Sequence, residues 1–414
     1  MFVVSQTNDL MSFQFNTIFA ARMVKSSPYF HLLLFIYLIS CSTGKKKENS
    51  SEPKHADQIV DSVNYLPDFP EPSKDFVVAT RAFASKFYRQ YINYDRFSGT
   101  FLVAKNGRII FERTTGYFNL RERRKLSAHD PVHVASISKV ATAVEILRLC
   151  DKGKIDLDAD VRTYLPDLPY EGVTVRMLLN HRSGIPYYGY FTFTTWKLGV
   201  TLKNQDILNL MKKHRFRRYF PPNKKFQYCN TNYALLALIA EKVTGKRFPE
   251  LMKEDMFIPL GMNNSFIMDH RVNSDTVCQS YDSRYYRERF NYLDAIYGDK
   301  NMYTTARDLL KLDRAMYSDD FLSDSLKKQM FAGYSFERRK KLNYGLGMRM
   351  YLFPDKKPFY FHTGWWHGNT GCYATLRTDT LCVIAIANKY THSVYSVRNL
   401  TPYFGNYPSD FRFE

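Results

Sequence analysis

Strand-like text stands at both ends of the body of this chain and helix-like text fills the middle, an order that leaves few folds open. FLVAKNGRIIFERTTGYF (101–118) carries two strand-type runs joined through Asn106-Gly107, the strongest short-range signal for a hairpin. The strand pattern returns from Tyr344 in GLGMRMYLF, FYFHTG, GCYATLR and LCVIAIANK, the last two separated by a short turn. Between these ends, from about 136 to 330, the text reads as helix and loop: the VASISK helix, MLLNHRSGI, NYALLALIAEKVTGKRF and TARDLLKLDRAMY. An amphipathic helix, DFVVATRAFASKFYRQYI (75–92), precedes the hairpin. Strands from both ends must meet in one antiparallel sheet, with a helical region folded out from it, so the expected fold class is α+β. A site belongs at the seam between the two regions. No internal repeat is visible.

The 414 residues, 45% apolar and 16% aromatic, suffice for a large core in one big domain or two intertwined ones. Only the first 60 or so residues look different. YFHLLLFIYLIS (29–40) is too short to span a bilayer comfortably and has the length of a signal-peptide h-region; it follows Arg22 and Lys25 and precedes Cys41. LISC (38–41) resembles the lipobox of a bacterial lipoprotein signal, which implies lipidation of Cys41; an uncleaved anchor or a buried helix is the other reading. Met23 is the expected true start. The polar stretch 42–70 then reads as a flexible tether, and 71–414 as the folded domain.

Lysine and arginine outnumber aspartate and glutamate 59 to 40, but only 6 to 5 through residue 62, so the positive charge belongs to the body. Its clusters, RERRK (121–125), KKHRFRR (212–218) and ERRKK (337–341), sit in separate segments without a nucleic-acid-binding motif. The expected partners are an anionic membrane or envelope polymer and a small-molecule or peptide substrate, with no nucleic acid. Oligomeric state is not legible. Beyond Cys41 the cysteines are Cys150, Cys229, Cys278, Cys372 and Cys382, an odd and irregular set that makes no disulfide framework. No histidine or cysteine spacing matches a zinc site, so neither a metal nor another cofactor is expected.

Three short patterns carry chemistry. In VASISKVATA (134–143) Ser136 and Lys139 stand three apart at the head of an apolar helix. A cation there opposes the helix dipole, and its burial is costly unless paired or neutralised. Placed on the same face as the hydroxyl, however, a neutral amine can take the serine proton, while backbone N–H groups at the helix start can hold an oxyanion. An exposed polar pair is the plainer reading. In FQYCNTNYALLALIAEKVTG, Tyr228 and Asn230 precede a second apolar helix: a tyrosine beside a lysine suits a general base, and Asn230 an orienting or carbonyl-binding role. Here the plainer reading is a packed aromatic and a helix cap. In FHTGWWHGNTG, His362 and Thr363 offer donors at a strand end, and Gly364 lets the backbone pass close to a ligand, unless this is only a glycine-rich hairpin.

Taken together, SISK, YCN and HTG resemble the S-x-x-K, Y-x-N and K/H-T-G pattern of serine β-lactamase-like hydrolases, related to class C β-lactamases, D-alanyl-D-alanine carboxypeptidases and esterases. FSGTFLVAKNGRII, GKIDLDADVRTYLPDLP, VRMLLNHRSGIP and NMYTTARDLLKL share the likeness, which covers about residues 75–390. It implies a β-lactamase/transpeptidase-like fold, Ser136 as nucleophile, Lys139 as its activating partner, Tyr228 as general base and Asn230 in support. His362, Thr363 and Gly364 would line the opposite wall, and the N–H groups of Ser136 and Trp365 would form the oxyanion hole. His362 in place of lysine weakens the positive charge there near neutral pH, which favours an esterase or peptidase over a β-lactamase. Trp365, Trp366 and His367 narrow the expected pocket. The function expected is a lipid-anchored envelope hydrolase working through an acyl-enzyme on Ser136; the alternative is a catalytically silent envelope protein that binds ligands in the same cleft.

Overall fold

The structure, a computed structural model, describes residues 65–408 apart from 198, 270, 273 and 338–341, all within one compact unit, Ser62–Phe411. The apolar run 29–40, Cys41 and the tether up to residue 64 lie outside the described residues. The tether expected to reach Pro70 ends sooner. Tyr65 packs edge-on against Phe321 at 5.4 Å and Phe69 against Tyr317 at 5.3 Å. The carbonyls of Pro67 and Pro70 accept hydrogen bonds from Arg314 and Asn106. Two rings set in polar text give the domain something apolar to hold.

The two ends of the body meet as their patterns require. Seven antiparallel strands run in the order Arg108–Thr115, Gly99–Lys105, Leu381–Ala387, Asn369–Leu376, Phe359–Trp366, Arg349–Tyr351 and Leu342–Tyr344. The first hairpin joins the last strand in register, Gly99 opposite Ala387 and Lys105 opposite Leu381. Its turn has positive φ at both Asn106 (54°) and Gly107 (71°), the backbone that Asn-Gly adopts at least cost.

Alternation along the strands divides two cores. Phe101, Val103, Val383 and Ala385 face the N-terminal helix Lys74–Phe87 and the 3₁₀ segment Ser393–Phe404. Leu102, Ala104, Ile384 and Ile386 face the larger core, which contains the helices Ser138–Asp151 and Asn230–Thr244. Burial on both faces explains why LCVIAIA is apolar throughout. The helix Ser138–Asp151 is buried from Ser138 to Leu149, so its polar side chains also lie inside the domain and find partners there, Arg148 pairing with Glu145 at 3.0 Å. The middle also holds an element that its sequence does not announce, a small sheet of Val132–His133, Met302–Thr304 and Phe266–Ile267. Strands of two and three residues are too short to show a period. The five described cysteines are free.

Candidate active site

Ser136 sits in a 3₁₀ turn, Ala135–Ile137, that leads directly into the helix Ser138–Asp151. The turn is strained and pinned. Ala135 has φ of 49°, uncommon for a residue with a side chain. Its N–H donates to His133 Nδ1 at 3.2 Å, and its carbonyl accepts from Ser138 Oγ at 2.6 Å. Ser138 Oγ in turn accepts from the Met302 N–H at 3.1 Å. Ser136 is thereby left half-buried while its neighbours on both sides are buried.

Lys139 is fully buried, and its amine spans 2.9 Å to Ser136 Oγ and 2.6 Å to the carbonyl of Asp299. The Asp299 carbonyl can reach it because Thr142 Oγ1 donates to the Gly298 carbonyl at 2.8 Å, drawing this segment onto the helix. Gly298 is required there: at φ of 91°, a Cβ would stand 2.4 Å from the Tyr233 carbonyl. The oddity of a lysine in this helix is thus resolved by geometry, since its amine meets the hydroxyl three residues earlier and a backbone acceptor from a distant loop.

Tyr228 stands over the same amine, with Lys139 Nζ 5.0 Å from its ring centroid and the Arg349 guanidinium 4.9 Å from it. His181 holds its loop from both sides. The Gln227 N–H donates to the His181 carbonyl at 2.9 Å, the Cys229 N–H donates to His181 Nδ1 at 3.2 Å, and the two rings lie 4.3 Å apart. Burial holds the His181 imidazole well below its usual pKa, with Lys139 and Arg349 pushing the same way, so it is neutral and free to accept. Asn230 opens the helix Asn230–Thr244 without capping it. Its Oδ1 is buried with no partner, and Lys139 reaches Ser136 and Asp299 instead of Asn230.

The strand Phe359–Trp366 forms the facing wall. Gly364 is where it touches the Ser136 turn: a Cβ there would lie 2.4 Å from the Val134 carbonyl and 3.3 Å from the Ser136 nitrogen. That approach brings the Ser136 N–H beside the strand, the arrangement a two-donor oxyanion site with Trp365 calls for. Thr363 is half-buried and Trp365 is 59% exposed. His362 departs from expectation. Its ring is buried, Tyr344 O–H donates to Nε2 at 3.1 Å, and Nδ1–H donates to the Thr363 carbonyl at 2.8 Å. Burial, then Arg349 and Lys139, hold its pKa well below the usual value. Both ring nitrogens are engaged by the protein, so His362 supports the wall and offers a substrate neither a donor nor a charge.

The cation on this wall is Arg349. Its Nε is buried without a hydrogen-bond partner, and its guanidinium packs near the rings of Tyr228 and Tyr344. No carboxylate pairs with it among the described residues. The sequence signal for it is a lone arginine in the otherwise apolar GLGMRMYLF; for His181 it is the HRSG text already noted, and for Asp299 there is none, because a backbone carbonyl has no signature.

The arrangement can perform acyl transfer: a half-exposed hydroxyl beside a buried amine, a tyrosine over the amine, and a strand edge close to the serine N–H. Comparison with known proteins agrees with the fold. This chain is similar to penicillin-binding protein 4* of Bacillus subtilis, 32% identical over 315 residues, covering 72% of this chain and 70% of that one. It is also similar to a D-aminopeptidase of Cereibacter sphaeroides, 30% identical over 176 residues, covering 42% of this chain and only 33% of that protein's length. The crystal structure of a penicillin-binding protein from Bacillus halodurans superposes with a TM-score of 0.68 at 25% identity, covering 78% of this chain and 98% of that one. The Beta-lactamase family model matches residues 83–400, and the chain belongs to that family of serine β-lactamase-like hydrolases.

Proposed function

We propose that this protein is a serine hydrolase that forms an acyl-enzyme on Ser136 and cleaves an amide or ester in a substrate carrying a carboxylate. The observation that carries the reading is the 2.9 Å contact between the Lys139 amine and Ser136 Oγ at the half-exposed serine. Ser136 Oγ attacks the substrate carbonyl and its proton passes to the Lys139 and Tyr228 pair. The resulting oxyanion is held by the N–H groups of Ser136 and Trp365. Collapse breaks the bond to the leaving amine or alcohol, which takes a proton from Lys139 by way of Tyr228. Water then attacks the Ser136 ester and gives a proton to the same pair, which returns it to Ser136 Oγ as the acid leaves. Asp299 keeps Lys139 in place through its carbonyl.

Arg349 supports the carboxylate part of the reading. With His362 neutral and engaged, the guanidinium supplies the charge on the strand wall, and a carboxylate is the planar partner it fits best. Relatives named penicillin-binding protein and D-aminopeptidase make a peptide the first substrate to try. Location is part of the same proposal: lipidated Cys41 anchors the enzyme to the bacterial envelope. No helix among the described residues is long and apolar enough to cross a membrane.

The test is rapid acid quenching of the protein mixed with D-amino peptides, esters and β-lactams, followed by intact mass. A mass gain equal to the acyl group, absent in Ser136→Ala, is expected with at least one class. If no class leaves an adduct or a product, the cleft binds without cutting.

A further inference from the structure

Outside the cleft, the helix Tyr188–Thr195 presents an unusual surface. It buries Tyr188, Phe191 and Thr192, but Tyr190 and Phe193, three apart on one face, are 72% and 73% exposed. A ring left in water forgoes the gain of burial. The adjoining segment is strongly basic. Phe191 stacks on Phe216 at 4.4 Å and the Tyr187 N–H donates to Tyr219 Oη at 3.2 Å, so residues 212–219, KKHRFRRY, run beside the helix. Lys213, Arg215 and Arg217 are exposed there, as is Lys197 just beyond the helix. Only Lys212 of this stretch has an acidic partner among the described residues, Asp167 at 2.7 Å.

Rings and cations on one face fit a bilayer surface. Rings settle at the boundary between headgroups and acyl chains, and each cation is drawn to an anionic headgroup layer. A soluble anionic polymer would engage the cations and leave the rings little to do. We infer that the helix Tyr188–Thr195 and the basic segment beside it form a docking face for an anionic lipid membrane, with Tyr190 and Phe193 inserted at the interface. The face borders the cleft, since the Tyr188 N–H donates at 2.7 Å to Thr231 Oγ1, one residue after Asn230. This inference stands independently of the reaction proposed above.

The test separates the face from any N-terminal anchor. Full-length protein carrying Cys41→Ser and Phe193→Cys is labelled with an environment-sensitive dye, beside a second sample labelled at Tyr94→Cys, another exposed aromatic (82%). On vesicles of mixed phosphatidylglycerol and phosphatidylcholine, the dye at position 193 shifts to the blue and brightens, and the dye at position 94 does not. Adding Lys213→Glu, Arg215→Glu and Arg217→Glu weakens that response about 100-fold in lipid concentration, and pure phosphatidylcholine gives little. An unshifted dye at 193 on protein that co-sediments with the anionic vesicles would overturn the inference, because the N-terminus alone would then be binding. So would an equal response to pure phosphatidylcholine, or to soluble polyphosphate or single-stranded DNA.

Discussion

The two walls of the cleft are built in opposite ways. On the helix side the polar groups are fixed by the protein itself: Lys139 between Ser136 and Asp299, Ser138 between Ala135 and Met302, His181 under both flanks of Tyr228. On the strand side the charged group is left open, with Arg349 lacking an acidic partner among the described residues, Thr363 half-buried and Trp365 exposed at the edge. Fixed groups suit chemistry, because an amine already placed against a hydroxyl needs no reorganisation in the transition state. An open cation suits recognition, because its unmet partner is left for the ligand to supply.

Substitutions on the helix wall should do the most damage. Ser136→Ala abolishes acyl-enzyme formation, and Lys139→Ala lowers kcat/KM by a factor on the order of 10³ or more while the circular dichroism spectrum and Tm show a folded protein. A fully active Lys139→Ala protein would rule out the role given to the amine. Gly364→Ala tests where the walls touch. Its Cβ has no room against the Val134 carbonyl, so the strand must move away from the Ser136 turn, and kcat should fall by about 10²-fold or more while the protein remains folded. An unchanged kcat would mean that the close approach plays no part in the reaction.

The strand wall should answer differently. Arg349→Met raises KM about 10–100-fold for a substrate with a free carboxylate, the range of a hydrogen bond to a charged group, and leaves the corresponding neutral ester within about twofold. Equal losses on both substrates would make Arg349 a structural residue. The smallest effect separates Arg349 from His362. Because burial depresses the folded pKa of His362, only the unfolded chain takes up its proton as pH falls below about 6.5. The residue's contribution is thus present above that pH and lost progressively below it. Against His362→Gln, the wild type should lose about 2 kcal/mol of relative stability between pH 7 and 5, measured by urea unfolding. A gap that does not change with pH would mean that His362 titrates normally, and the charge on this wall would need reassigning.

The sequence made the helix wall far more legible than the strand wall. SISK and YCN are local patterns, and a three-residue spacing places Ser136 and Lys139 together whatever else the chain does. The sheet was readable for a similar reason, since alternation and Asn-Gly are short-range signals and the strands at both ends had only one sheet to join. HTG was legible as a motif, yet the side chain of His362 points into the core, because which face of a strand is buried depends on register against Arg349–Tyr351 and Asn369–Leu376. Arg349 and the Asp299 carbonyl come from segments far along the chain, and pairing of that kind leaves no mark in a single sequence. The packing of Tyr65 and Phe69 is not legible because they sit in text whose composition is that of a tether.

The division of labour between the walls is tested most directly by intact mass and peptide mapping after exposure to a fluorophosphonate, which has no carboxylate. Wild type, Ser136→Ala and Arg349→Met are treated side by side. One adduct on Ser136 is expected in the wild type and in Arg349→Met, forming at rates within about twofold, and none in Ser136→Ala. An adduct that maps elsewhere, or an Arg349→Met protein that fails to label, would contradict the account.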